Sequence, residues 1–584
     1  MTEITAPIAG DPRTSAAARI GWAVLILATL YVCYFSHLGA IGFVGPDEPR
    51  YAWIARDMAE TGDWVTPRLY GKPWFEKPPL FYWGAAVSFK LFGVSEASAR
   101  LPSAISALLA TLVLAWLALR LYGAETARWL LLLLPTTVGM IGFSHAAATD
   151  MPFSAMLTIA MVCAAVVLGL TRDEKTPILP RTPWFALILF GFFLGLAVLA
   201  KGPAAIILSG GAIFFWALFT KRRRDAFRLF HPAALASFCL TALPWYILCA
   251  RRNPDFFRIF IIEHNFKRFF TPEFQHIQPF WFYIPILSIA LIPWMTATIS
   301  TLGIWARMAL HGEITKSETD ATSILFLTYA VFAMLFFSLS KSKLPGYILP
   351  AVPMFVFVTA KWLATGIRNR KYWKTLALAT ISLTACALLG VASVQVLSWH
   401  SSPQPGPFAL MGLILAILGL ISVLLCALLG KQGGILPSGV AVVVVFLGCA
   451  NPSFLHWLDS VVSPRPIVKI VSANQKLSNN ILCYRLRRGW EFGANFYLRR
   501  QLKEWDGDLS QPVLALVSPD GTKDLRERKI PFRVLDHTCL DAVLVEIGRD
   551  ETFPRKPGAL SSSLFQNETE RRLATRLPRS GQPQ

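Results

Sequence analysis

Charge is what this chain has least of. Asp, Glu, Lys and Arg make up 16% of the 584 residues, against 54% hydrophobic and a mean hydropathy of +0.49. That balance excludes a soluble multi-domain protein and reads as a polytopic membrane protein. A phosphate-binding glycine loop, any other nucleotide motif and any internal repeat are missing, so no nucleotide cofactor is expected. Cysteines with metal-ligand spacing are missing too. Seven of the nine (Cys33, Cys163, Cys239, Cys249, Cys386, Cys426, Cys449) fall in apolar runs, where cysteine acts as a small hydrophobe. Cys483 and Cys539 lie in a polar C-terminal part, and whether they pair stays open. Acidic residues are outnumbered by basic ones, 35 to 56, for a net charge of +21. In a membrane protein that excess belongs to cytoplasmic loops and anionic lipid heads, so nucleic acid is not expected as a partner.

What is present is a series of apolar runs. A bilayer-crossing helix needs about 20 apolar residues. Runs of that kind predict spans at 20–38, 101–121, 127–145, 152–170, 184–200, 203–220, 231–250, 281–303, 322–339, 347–366, 374–397, 408–429 and 435–450, thirteen in all. The first is longer than a signal-peptide core and lacks a small-residue cleavage site, so it is read as a retained helix. Short loops rich in Lys and Arg, such as Lys221-Arg222-Arg223-Arg224, fall on the side of the N-terminus, which is therefore expected to be cytoplasmic. The expected organisation is a cytoplasmic tail at 1–19, a membrane domain at 20–450 with outer loops at 39–100 and 251–280, an external α/β domain at 451–549 and a disordered tail at 550–584. Within the third part, ILCYRL, PVLALVS, FRVL and AVLVEI read as short strands.

The polar groups collect on one face. Asp47 to Lys77 follows the first span, Asp150 the third, Lys201 the fifth, Arg251 to Phe280 the seventh and Ser340 to Tyr347 the ninth. By parity all are external, and basic outer loops run against the topological bias, which points to an anionic ligand; lipid heads are the bland alternative. Asp47 and Glu48 sit at the outer end of a span, where a carboxylate often pairs with a nearby Arg, here Arg50. Asp150 lies in a very short loop between apolar helices, where an unpaired carboxylate is costly, so it is expected to face a partner or a cavity. Lys201 interrupts nearly continuous apolar sequence before a Gly202-Pro203 turn; snorkelling of its ammonium is the competing explanation. Glu76 and Lys77 precede Pro78-Pro79, and Arg50 to Glu60 and Leu80 to Gly93 are expected as helices lying on the outer membrane surface. His264 with one distant glutamate is weak evidence for a metal. Carboxylates and aromatics suit a sugar and cations suit phosphate, so a transferase drawing on a lipid-borne donor is the chemistry these groups suggest.

The pattern Asp47-Glu-Pro-Arg-Tyr-Ala, Gly62-Asp-Trp-Val-Thr-Pro, Phe75-Glu-Lys-Pro-Pro, Asp150-Met-Pro, Lys201-Gly-Pro and Lys343-Leu-Pro-Gly-Tyr-Ile-Leu-Pro350 resembles the GT-C glycosyltransferases that depend on polyprenol phosphate. It is most similar to the bacterial lipid A aminoarabinose transferases and the protein O-mannosyltransferase-like group around them. The resemblance implies a GT-C membrane fold in the bacterial inner membrane, acting as a monomer. Asp47 and Asp150 would be the acidic pair. Glu48, Arg50, Lys77, Lys201, Arg268, Lys343 and Tyr347 would hold substrate or phosphate, and Glu76 with His264 would hold a divalent metal such as zinc. The donor would be a polyprenyl-phosphate sugar and the acceptor lipid A, with inversion at the anomeric carbon. Transfer of galacturonic acid, of a hexose or of mannose to protein stays open on the same scaffold. A flippase or transporter is the alternative from another class, although it predicts charges on both sides of the bilayer.

Overall fold

The computed structural model describes residues 16–170, 184–267, 277–311, 321–368, 432–448, 452–473, 480–539 and 541–548, with scattered positions between 414 and 429. The expected span at 374–397 and the tail at 550–584 lie outside the described residues, as does most of 408–429. The chain divides into two compact units, Met1–Ala40 with Tyr51–Leu455, and Ile41–Arg50 with His456–Gln584.

The first unit is helical. Among the described residues, Ala16–Tyr34, Glu96–Tyr122, Asp150–Val167, Trp184–Lys201, Pro232–Arg252, Ala321–Leu339 and Pro345–Thr365 are long and apolar enough to cross a membrane, and a bent pair makes an eighth. Leu80–Phe92, Ala204–Phe219, Phe280–Ala290 and Gly434–Val445 are shorter apolar helices. The chain is an integral membrane protein.

Two expected spans are not single helices. The run 127–145 is split into Ala124–Leu133 and Val138–Ser144, bent by 63°, and 281–303 is split into Tyr283–Ala290 and Met295–Leu310. Pro135 and Pro293 lie in the two breaks, where a missing N–H and a ring clash stop the preceding helix. A break in apolar surroundings frees backbone groups that need partners, and each break serves the other. The Val138 N–H donates to the Ile292 carbonyl at 2.9 Å, and the Trp294 indole N–H donates to Thr136 Oγ1 at 3.0 Å. Gly139 permits the approach, since a Cβ there would lie 3.0 Å from that of Ala290.

At the centre lies Asp150–Val167, buried from Met151 to Val167. Ser154, Ala155, Thr158, Ala160, Ala164 and Ala165 keep it slim enough for neighbours to pack closely. Trp184–Lys201 packs along it and Pro232–Arg252 packs along Trp184–Lys201, while Glu96–Tyr122 covers another side. The turn Pro345–Ala351 packs against the central helix and against Ala321–Leu339 and Tyr283–Ala290. Two helix ends, those of Asp150–Val167 and Trp184–Lys201, and one tight turn thus meet at Asp150.

The second unit contains a four-stranded sheet in the order Leu482–Tyr484, Val513–Val517, Val543–Ile547, Phe532–Asp536, the first pair parallel and the others antiparallel. Alternation gives it two apolar faces. Leu516 and Leu544 pack with Ile467, Val471, Trp490 and Ala494, whereas Ala515, Val517 and Val545 pack with Trp505, Leu525 and Phe532. Cys483 and Cys539 are free buried thiols; burial pushes both up to about 12.

Candidate active site

The first cluster is built from opposite helix ends. Asp150 occupies the first turn of Asp150–Val167, where the helix dipole favours an anion, and Lys201 is the last residue of Trp184–Lys201, where it favours a cation. Because these helices pack side by side, the ammonium donates to Asp150 Oδ1 in an ion pair whose side chains are 9% (Lys201) and 20% (Asp150) exposed. Gly202, at φ +100°, ends the lysine's helix by donating its N–H to Val198 O at 2.8 Å. Snorkelling is therefore not what places Lys201; a carboxylate does.

The turn Pro345–Ala351 closes over the pair. The Lys201 ammonium lies 4.6 Å from the Tyr347 ring centroid and 5.3 Å from that of Phe153, within cation–π range. Gly346 lies so near that a Cβ there would stand 2.5 Å from Asp150 Oδ1. The loop before the turn is fixed by the Tyr283 hydroxyl, which donates to Leu344 O at 3.2 Å, and by Lys343, whose ammonium donates to Gln278 O at 3.0 Å and to Ser340 O. Burial, helped by the charge of Lys341, lowers the Lys343 pKa. Lys343 thus spends its donors on backbone carbonyls.

Glu76 and Lys77 are set by the loop before them. A two-residue turn at Tyr70 and Gly71, both at positive φ, joins strands Arg68–Leu69 and Lys72–Pro73. Asp63 accepts from the N–H groups of Val65 and Thr66 at 3.0 and 3.2 Å, and pairs with Arg68 at 3.4 Å and Arg252 at 3.2 Å. Trp245 Nε1 donates to Val65 O at 2.9 Å and Asn253 Nδ2 to Thr66 Oγ1 at 3.0 Å, so the loop is latched to the end of Pro232–Arg252. Phe75 then packs edge-on to Phe256, in a cluster with Leu199, Trp245 and Phe260. That leaves Glu76 and Lys77 shielded and 3.9 Å apart. Sequence reasoning missed Asp63, Gly346 and Tyr283 as organisers; Gly62-Asp-Trp-Val-Thr-Pro and Pro-Gly-Tyr were the signals available.

His264 lies in the π-helix Arg258–Lys267, and Arg268 lies outside the described residues. Among the described residues, no three His, Cys, Asp or Glu side chains come together in a metal-holding arrangement. Glu76 and His264 are two donors where an open zinc site has three protein ligands, and Glu273 and His276 of the same loop lie outside the described residues.

Asp47, Glu48 and Arg50 belong to the other unit. Asp47 begins the helix Asp47–Thr61 and is paired with Arg50 one turn on; Arg50 also donates to Pro46 O at 3.1 Å. Glu48 is buried and accepts the Val44 N–H at 2.7 Å. The Asp47 side chain is 46% exposed, against 7% for that of Arg50, so a buried cation presents an accessible carboxylate.

The fold is similar to that of the crystal structure of ArnT from Cupriavidus metallidurans bound to undecaprenyl phosphate, which superposes with a TM-score of 0.70 at 24% identity, covering 93% of this chain and all of that one. Residues 20–260 match the model of the dolichyl-phosphate-mannose-protein mannosyltransferase family. The chain is similar to undecaprenyl phosphate-alpha-4-amino-4-deoxy-L-arabinose arabinosyl transferases from Erwinia tasmaniensis (31% identity over 351 residues, 60% of this chain and 61% of the relative) and Photorhabdus laumondii (29% over 446 residues, 75% and 77%). The enzyme of that name from Edwardsiella ictaluri is 33% identical over 332 residues, 56% of this chain and 57% of the relative. The chain thus spans between about half and three quarters of the length of these relatives.

Proposed function

We propose that this protein is a glycosyltransferase that moves 4-amino-4-deoxy-L-arabinose from undecaprenyl phosphate to a phosphate of lipid A at the periplasmic face of the bacterial inner membrane. The observation that carries the reading is the shielded Asp150–Lys201 pair beneath Tyr347, in a chain similar to transferases of that name. A full set of thirteen spans, a cytoplasmic N-terminus, a periplasmic C-terminal unit and a monomeric state belong to the same proposal.

The chemistry follows from charge. The bond between the anomeric carbon and the donor phosphate breaks, the electron pair leaving with the phosphate oxygen, and an acceptor phosphate oxygen forms the new bond from the opposite side, inverting the centre. Lys201 and Lys77, with Arg268, are the cations that stabilise the charge growing on the departing oxygen. Asp150 keeps Lys201 in place, and Tyr347 shields the ammonium from water. An acceptor phosphate is already an anion and needs positioning rather than a base. Asp47 is the carboxylate suited to the ammonium of an amino sugar.

The test supplies purified protein with undecaprenyl-phosphate aminoarabinose and lipid A, and follows the mass of both lipids. Lipid A is expected to gain one pentosamine. Transfer from a different polyprenyl-phosphate sugar, with no pentosamine added, would replace the sugar but keep the class. Lipid movement across a vesicle membrane without bond cleavage would replace the class by a flippase.

A further inference from the structure

The C-terminal unit has no catalytic motif, yet it holds the ten-residue segment that contains Asp47. Ile41–Arg50 is compact with His456–Gln584, although more than four hundred residues of chain intervene. The Gly42 N–H donates to Asp459 Oδ1 at 2.7 Å, and the Phe43 N–H donates to the Tyr497 hydroxyl at 2.9 Å. Asp459 is itself buried and fixed by Arg465, at 2.8 and 2.7 Å. The Phe43 ring is fully buried, edge-on to Phe496 at 4.8 Å and stacked on Tyr497 at 6.0 Å. Gly42 has no room for a side chain, because a Cβ would stand 2.1 Å from Ser463 Oγ, and a Cβ on Gly489 would stand 2.9 Å from the Gly45 carbonyl carbon. At the far end of the segment the Arg50 guanidinium lies 5.5 Å from the Phe492 centroid. Backbone, ring and cation contacts all fix the segment, and the titratable group it leaves accessible is the Asp47 carboxylate.

We propose that the C-terminal unit is a positioning module for Asp47, with Tyr497 and Asp459 as positioning residues. This rests on the reading of Asp47 as one of the acidic pair of the transferase. Ten residues held at both ends and in the middle restrict where that carboxylate sits, and misplacement by about 1 Å at a reacting centre costs on the order of a hundredfold in rate.

The test compares Tyr497→Phe, which removes one hydroxyl under Phe43, with Tyr484→Phe, which removes one hydroxyl from Asp524 elsewhere in the unit. Full-length protein carries each change, and two measurements are made. In hydrogen exchange, Tyr497→Phe is expected to speed the Gly42 and Phe43 amides by about tenfold while Tyr484→Phe leaves them unchanged. In the transfer assay, Tyr497→Phe is expected to lower kcat by about tenfold with KM for both lipids within about twofold, and Tyr484→Phe to hold kcat within about twofold. Equal behaviour of the two variants in both measurements overturns the proposal, as does a change confined to KM for lipid A, which is what a docking module gives. Faster exchange in a protein that transfers no sugar to any lipid keeps the positioning and discards the transferase reading instead.

Discussion

The chain holds two carboxylate–cation pairs that are built in opposite ways. Asp47–Arg50 is local: its partners are three residues apart on the first turn of one helix, and the carboxylate is half-exposed. Asp150–Lys201 joins residues 51 apart, one from the start and one from the end of packed helices, and both side chains are shielded. The first pair needs only a helix to form, plus a separate unit to anchor its loop. The second needs the whole bundle, because its geometry is the register between Asp150–Val167 and Trp184–Lys201. Local pairs report on secondary structure; distant ones report on packing.

Two double-mutant cycles measure that difference. In a buried pair, removing one partner leaves an uncompensated charge, and about 3 to 5 kcal/mol is lost. Asp150→Asn and Lys201→Met are each expected to destabilise by about 3 kcal/mol. The double variant is expected to be more stable than either, while transfer falls by about a thousandfold or more in all three. Asp47→Asn and Arg50→Met are expected to show a coupling of about 0.5 to 1 kcal/mol, as for exposed pairs. Thermal unfolding of the seven proteins, the unaltered one shared by both cycles, with their matched activities is the measurement. Equal coupling in the two cycles would remove the contrast.

Gly346 is expected to give the next largest effect. Gly346→Ala puts a methyl 2.5 Å from where Asp150 Oδ1 now lies, and the carboxylate has to turn away from Lys201. Transfer is expected to fall by about ten- to a hundredfold, with a loss of stability of about 1 to 3 kcal/mol, since the methyl also meets Asp150 Cγ at 2.7 Å and the Phe143 ring at 3.0 Å. Steady-state kinetics beside a melting curve decide this. A fully active Gly346→Ala protein would mean that the turn moves and the pair is not held from above.

What was legible in the sequence follows the same division. Arg50 was evident as the partner of Asp47 because helical spacing is local. Asp150 was legible as a carboxylate that needs a partner, but nothing in the sequence pointed to Lys201, since helix pairing is fixed by packing. Pro135 and Pro293 were visible, yet the apolar runs around them read as continuous spans; only the crossed bonds of Val138 and Trp294 show why a broken helix is tolerated in apolar surroundings. Strands Leu482–Tyr484, Val513–Val517 and Val543–Ile547 lie within stretches that read as strands, and Phe532–Asp536 runs one residue past the fourth, FRVL. The partnership of Gly42 with Asp459 spans 417 residues and left no local trace.

The smallest expected effect concerns the latch that sets Glu76 and Lys77 without touching either pair. Asp63 is partly buried, which alone would raise its pKa, but the N–H groups of Val65 and Thr66 and the charge and hydrogen bond of Arg68 outweigh that and hold it below the ordinary 3.8. A carboxylate with a depressed folded-state pKa stabilises the fold fully above its unfolded value and loses that contribution as pH falls through the folded value. Asp63→Asn is therefore expected to cost about 1 kcal/mol at pH near 7. The gap in melting temperature from the unaltered protein is expected to stay constant down to about pH 5 and to close below about pH 4. A gap that persists unchanged in acid would mean that the loop is held by Trp245 and Asn253, and that the charge of Asp63 contributes nothing to placing Glu76 and Lys77.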